Sequence, residues 1–176
     1  EAEGVETRVL LPAYPALEAL VEAGQFVGEV YGVDGAKRVH AVRAEGLDLL
    51  LLEAPHLFKR PGGPYINEAG VDWVDNHLRF AAFSRAAANI ARDGIGGWKP
   101  DVLHCHDWQT GLAPAYLRLD ERGGPPSILT IHNMAFQGVF PSDRIDAMAL
   151  PRSGFHPDGY EYWGQVGFLK AGLVYA

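Results

Sequence analysis

The sequence predicts an α/β fold built on parallel strands with one antiparallel hairpin inserted, and three stretches carry that prediction. Asp101 to His106 and Ser127 to Ile131 are short apolar runs joined by a helical segment that stops at Gly123-Gly124-Pro125-Pro126, which makes a β-α-β unit. Leu47 to Leu52 is a nearly unbroken leucine run, the pattern of a strand buried on both faces. Phe26 to Ala44 alternates apolar and polar residues around Asp34-Gly35, a pair suited to two positive φ angles in a tight turn, and so forms the hairpin.

Taken in order, Val5 to Leu11 is the first strand candidate, and Pro12 and Pro15 end it because neither can continue a ladder. Leu17 to Ala23 is short and fits either helix or strand. The leucine strand stops at Ala54-Pro55, and Lys59 to Val74, interrupted by Pro61-Gly62-Gly63-Pro64, is a long loop of the kind that often carries function. Asp75 precedes a helix with Phe80, Phe83, Ala87 and Ile90 at helical spacing, ending near Gly94-Ile95-Gly96-Gly97. A helix from Trp108 to about Leu119 bridges the β-α-β unit. Pro141 to Gly159 reads as a loop with at most one short helix around Asp143 to Ala149, and the final helix is expected to start near Glu161.

The 176 residues, 48% of them hydrophobic, suffice for one substantial core, and the length favours one domain. A net charge of -7 argues against a nucleic-acid partner or an acidic membrane surface. The single cysteine, Cys105, permits no intrachain disulfide and suits a reducing compartment. No apolar run approaches the ~20 residues that span a bilayer. Glu1 rather than Met opens the chain, Glu1 to Gly4 reads like the last turn of a helix, and Glu161 to Ala176 runs on without a stop signal. Both ends are therefore expected to be interruptions of a longer protein.

Polar clusters end both strands of the β-α-β unit: His104-Cys105-His106-Asp107-Trp108 and His132-Asn133. The carboxyl edge of a parallel sheet is where ligands bind in open α/β folds, so chemistry is sought there. His104 and His106 project to one strand face, an arrangement that can place two imidazoles on zinc. Cys105 projects to the other face and no third ligand follows at metal-site spacing, so no metal is expected. Asp107 stands before a helix, where capping of free N–H groups and acceptance of sugar hydroxyls fit equally well. His132, Asn133 and Gln137 are neutral hydrogen-bonding groups that suit a polyhydroxylated ligand, and Tyr65, Trp108 and Phe136 have flat faces for stacking on pyranose rings. Dinucleotide and phosphate-loop glycine motifs and a Gly-x-Ser-x-Gly elbow are absent, and Asp107 has no partner carboxylate for ordinary glycoside hydrolysis.

The run Pro100 to Leu112, with its His-Cys-His-Asp-Trp core, resembles a segment of bacterial glycogen synthases and plant starch synthases. So do Thr130-Ile131-His132-Asn133-Met134-Ala135-Phe136-Gln137-Gly138, Val9-Leu10-Leu11-Pro12-Ala13-Tyr14 and Gly164 to Gly172, in the family's order. The resemblance implies a Rossmann-like parallel sheet with helices on both faces, forming the N-terminal half of a two-domain GT-B glycosyltransferase. It also implies transfer of glucose from ADP-glucose, a substrate rather than a cofactor, to the non-reducing end of an α-1,4-glucan with retention. By this likeness His132 holds the donor glucose beside Asn133, with its main-chain carbonyl and imidazole near the reacting sugar, and Asp107 binds sugar hydroxyls. Tyr65 matches a tyrosine associated with the acceptor glucan, and Trp108, Phe136 and Gln137 are further acceptor-side candidates.

Two departures stand out. The family's Lys-x-Gly-Gly-Leu loop with its strand, and the whole nucleotide-binding second domain, are not in these residues, so the stretch 1–176 is expected to be inactive alone. The choice between ADP-glucose and UDP-glucose, and the oligomeric state, stay open. The resemblance points to a bacterial cytoplasm, or to a plastid for a plant enzyme. A non-catalytic α-glucan-binding module of the same fold is the alternative, separated from the enzyme by what lies downstream.

Overall fold

The computed structural model describes residues 4–176. Of the stretch Glu1 to Gly4, read as a helix end, all but Gly4 lies outside the described residues. The chain divides into two compact units, one comprising residues up to Val30 with Ala36–Trp73, the other Tyr31–Gly35 with Val74–Ala176.

The first unit begins with β1 (Arg8–Pro12), a 3₁₀ turn and the short helix α1 (Glu18–Ala23). The hairpin strands β2 (Gln25–Val30) and β3 (Lys37–Ala44) follow, then β4 (Leu47–Glu53) and the single-turn helix α2 (Pro55–Phe58). They make a four-stranded sheet in the order β1-β4-β3-β2, with β1 parallel to β4 and the hairpin antiparallel at one edge. Leu49 to Leu52 are buried, as a strand covered on both faces requires. The hairpin connection takes positive φ at Asp34 and Gly35, as these residue types predict, but spans Tyr31 to Ala36 rather than two residues. The Gly35 N–H bonds the Gly32 carbonyl inside it.

The second unit holds α3 (Asn76–Asp93), β5 (Leu103–His106), α4 (Leu112–Arg118) and β6 (Ser127–Thr130), then β7 (Val139–Pro141), β8 (Glu161–Tyr162), β9 (Gln165–Gly167) and α5 (Phe168–Tyr175). Strands β5 and β6 pair in parallel across α4, the expected β-α-β unit. Phe80, Phe83, Ala87 and Ile90 are buried on α3, so its apolar stripe faces the core. The helix expected from Trp108 instead begins as a 3₁₀ turn, Trp108–Thr110, and restarts at Leu112. Pro114 explains this: with no N–H to give, it fits only the first turn of a helix.

Glu161 does not start the last helix. Glu161–Tyr162 and Gln165–Gly167 form a hairpin with Trp163 and Gly164 in its turn, both at positive φ, and β9 also pairs with β7. Gly164 takes this conformation freely, and its N–H is held by the Glu161 carboxylate. Between β7 and this hairpin lie two 3₁₀ turns, Ser142–Arg144 and Arg152–Gly154, in place of one short helix. Among the described residues no helix is long and apolar enough to cross a membrane.

Tyr116 on α4 is fully buried and its hydroxyl donates to the Met148 carbonyl, while burial drives the phenol's pKa far above its ordinary value. Tyr116→Phe removes that donor and leaves a buried carbonyl without it. The expected loss is about 1–2 kcal/mol, read as a lower denaturant midpoint with unchanged slope.

Candidate functional site

The chemistry-bearing side chains of the second unit collect beyond the carboxyl ends of β5 and β6. The register pairs His104 with Ile128 and His106 with Thr130, so His104, His106 and Thr130 project on one face, and His132 lies two residues further along that edge. His104 Nε2 lies 2.7 Å from Thr130 Oγ1. His106 Nδ1 lies 3.0 Å from His132 Nε2. Cys105 points inward, and burial pushes its thiol up to about 12, which keeps it protonated and unreactive.

Asp107 does not cap the turn that follows it. Its Oδ1 reaches across to the end of β6 and accepts the backbone N–H groups of His132, at 2.7 Å, and Asn133, at 3.3 Å. To do so it sits at φ 55° and ψ -167°, beside the region that only glycine enters readily, a strain of about 1–3 kcal/mol that the surroundings must offset. The local anchor at this turn is Thr110, whose Oγ1 accepts the His106 N–H at 2.6 Å and donates to the His106 carbonyl at 2.8 Å. Burial first, then the neighbouring His104 and His132, lower the His106 pKa, with Asp107 opposing them. A neutral His106 ring results at neutral pH.

The loop after His132 is shaped by its own polar groups. Asn133 Oδ1 accepts the Ala135 N–H at 2.9 Å, an Asx turn. Gln137 Nε2 donates to the Met134 carbonyl, and the Gln137 main-chain carbonyl accepts the Leu169 N–H. Met134 and Phe136, 71% and 63% exposed, are left projecting, so Phe136 has an open ring face. The Gln137 side-chain amide thus bonds within its own loop, while its carbonyl ties the loop to α5.

Trp108 is a correction to the stacking candidates. It is 9% exposed, and its ring packs against Phe80 at 4.8 Å between centroids and against Phe140 and Phe168, so no face is left for a sugar. Gly138 completes this packing: a Cβ there would lie 2.4 Å from the indole. Tyr65 belongs to the first unit, 42% exposed in the loop between α2 and α3, where its carbonyl accepts the Trp73 N–H. Thus His132, Asn133 and Asp107 are brought together, with Phe136 and Gln137 on the loop that follows. Sequence reasoning missed the His106 to His132 contact and the Thr110 anchor. The same-face spacing of His104 and His106 was the available signal, and it suggested metal before it suggested a partner across the strands. Among the described residues no group of three or more His, Cys, Asp or Glu is placed to hold a metal ion.

The starch synthase catalytic domain family model matches residues 1–176. Glycogen synthase of Roseobacter denitrificans is 53% identical over 174 residues, which is 98% of this chain and 36% of that protein. Glycogen synthase of Acidiphilium cryptum is 49% identical over 178 residues, 99% of this chain and 37% of that protein. Among solved structures, the catalytic domain of starch synthase IV from Arabidopsis thaliana, bound to ADP and acarbose, matches with a TM-score of 0.75 at 25% identity, covering 99% of this chain and 37% of that one. The chain thus spans little more than a third of the length of the relatives it matches. With a family model that matches it from end to end, and an α/β structure shared with a solved member, the chain belongs to the family of starch synthase catalytic domains.

Proposed function

We propose that this chain is the N-terminal part of a bacterial glycogen synthase and supplies one wall of the site where glucose passes from ADP-glucose to an α-1,4-glucan. The observation that carries this reading is the Asp107 clamp, which fixes the main chain of His132 and Asn133 at the carboxyl edge of β5 and β6. The names of the curated relatives support it, as does the ADP and acarbose bound by the structural neighbour, a nucleotide and an oligosaccharide in one catalytic domain.

In the proposed reaction the bond between the anomeric carbon and the ADP oxygen breaks, its electrons leaving with the phosphate. The 4-hydroxyl of the terminal glucose then forms the new bond on the same face, and its proton passes to the departing phosphate. The developing positive charge on the sugar is stabilised by oriented dipoles, among them the His132 carbonyl, while Asp107 and Asn133 keep that carbonyl in place. No general base is required. Phe136 on the second unit and Tyr65 on the first are each, separately, acceptor-side candidates. A second α/β domain following these residues holds the nucleotide, no cofactor takes part, and the enzyme works in the bacterial cytoplasm.

The test is glucosyl transfer from radiolabelled ADP-glucose and UDP-glucose onto glycogen by the full-length protein. Incorporation from ADP-glucose in excess of UDP-glucose is expected. Glycogen binding with no incorporation from either donor replaces the reading with a binding module.

A further inference from the structure

We propose that His106 is a positioning residue for His132: its Nδ1 holds the His132 imidazole edge to edge and so sets the direction in which that ring meets the donor sugar. The inference rests on the assignment of His132 to the donor site.

The geometry is specific. The two ring planes lie 19° apart with centroids separated by 5.3 Å, while the nearest nitrogens are 3.0 Å apart. The nitrogens therefore lie between the two rings, and the contact is an N–H···N bond along their edges rather than a stack of faces. One ring gives the proton and the other the lone pair, which requires at least one of them to be neutral. The depressed pKa of His106 meets that condition.

His106 is fit to hold another ring because it is itself held from several directions. Its N–H and carbonyl are both tied to Thr110 Oγ1. The His104 ring lies against it at 4.4 Å between centroids, and His104 is in turn anchored to Thr130. His132 and His106 are both exposed, but His132 stands on the loop after β6 rather than on a strand, and there an untethered side chain samples several rotamers. One bond to a ring carried on an anchored strand selects among them. Consecutive residues thus divide the work: Asp107 fixes the His132 main chain and His106 fixes its ring. The shared bond occupies one nitrogen of His106 and one of His132, and the His-x-His spacing sets the His104 ring against that of His106.

The test compares full-length wild type with His106→Phe, His106→Asn and His132→Ala. Phenylalanine keeps a flat ring and loses both nitrogens, and the asparagine amide stands close to where Nδ1 was. The expected result is that His106→Phe lowers kcat for transfer from ADP-glucose about tenfold, with the KM for glycogen and the thermal midpoint unchanged, and that His106→Asn recovers most of the loss. In parallel, a scalar coupling between the two ring nitrogens is expected in ¹⁵N-histidine-labelled wild type. Wild-type kcat in His106→Phe beside an inactive His132→Ala overturns the inference, as does an Asn variant no faster than Phe when both melt normally. Absence of the coupling overturns it as well. If His132→Ala itself keeps full transfer, the donor-site reading is what fails, and the coupling still decides whether His106 holds the ring.

Discussion

Full-length protein carrying Asp107→Ala is expected to transfer glucose at least about a hundredfold more slowly than wild type, because the main chain of His132 and Asn133 loses the acceptor that fixes it. Hydrogen bonds to an ionised carboxylate are roughly twice as strong as neutral ones, and displacement of a reacting group by about 1 Å costs about a hundredfold in rate. Asp107→Asn presents an amide oxygen in the same place, so it keeps the geometry, loses the charge, and is expected to fall between the two. Asp107→Gly separates strain from function. At φ 55° the aspartate backbone is strained, and glycine relieves that strain while discarding the carboxylate. The glycine protein is therefore expected to melt above the alanine protein yet to be equally slow. Initial rates of radiolabel incorporation into glycogen, beside thermal melts, measure both. A glycine variant as fast as wild type would show that the carboxylate has no part in placing the site.

What the sequence discloses and what it hides divide along one physical line. The leucine strand, the hairpin and the β-α-β unit are legible because each rests on local periodicity or a turn pair, and the positive φ of Asp34 and Gly35 follows from the residue types alone. The segment from Glu161 misleads because its strands are only two and three residues long, too short for a period, and because its turn opens with Trp163, a residue seldom found at positive φ. Trp163 stands 85% exposed there. In the site, residue types were readable and partners were not. Asp107 beside a helix start suggests capping, yet its carboxylate goes to residues 25 and 26 positions away, a choice set by the parallel register of β5 and β6. Trp108 looks like a stacking residue until Phe80, Phe140 and Phe168 converge on it from three other elements.

Gly111→Ala is expected to destabilise the second unit by about 3 kcal/mol or more, although alanine ordinarily favours helical backbone. Gly111 has φ -62° and ψ -23°, so alanine suffers no conformational penalty there and would even reduce the entropy of the unfolded chain. The obstacle is the neighbour. A Cβ on Gly111 would stand 2.2 Å from the Phe168 carbonyl oxygen and 2.8 Å from its carbon, and backbone cannot rotate aside as a flexible side chain can. Gly172 on α5 is the counterpart: its own Cβ would come within 3.2 Å of the Gly111 Cα, so α4 and α5 meet through this pair of glycines. Pushing Phe168 away also disturbs the site. Its N–H bonds the Gly138 carbonyl, the next N–H bonds that of Gln137, and both acceptors close the loop that starts at His132. Gly123→Ala is the control, since that glycine has φ +61° and open space around it, and only the backbone penalty of about 1–2 kcal/mol applies. Guanidinium unfolding of the variants is expected to place Gly111→Ala well below Gly123→Ala. The reverse order would mean that α4 and α5 do not approach at Gly111, and the coupling between that contact and the His132 loop would fall with it.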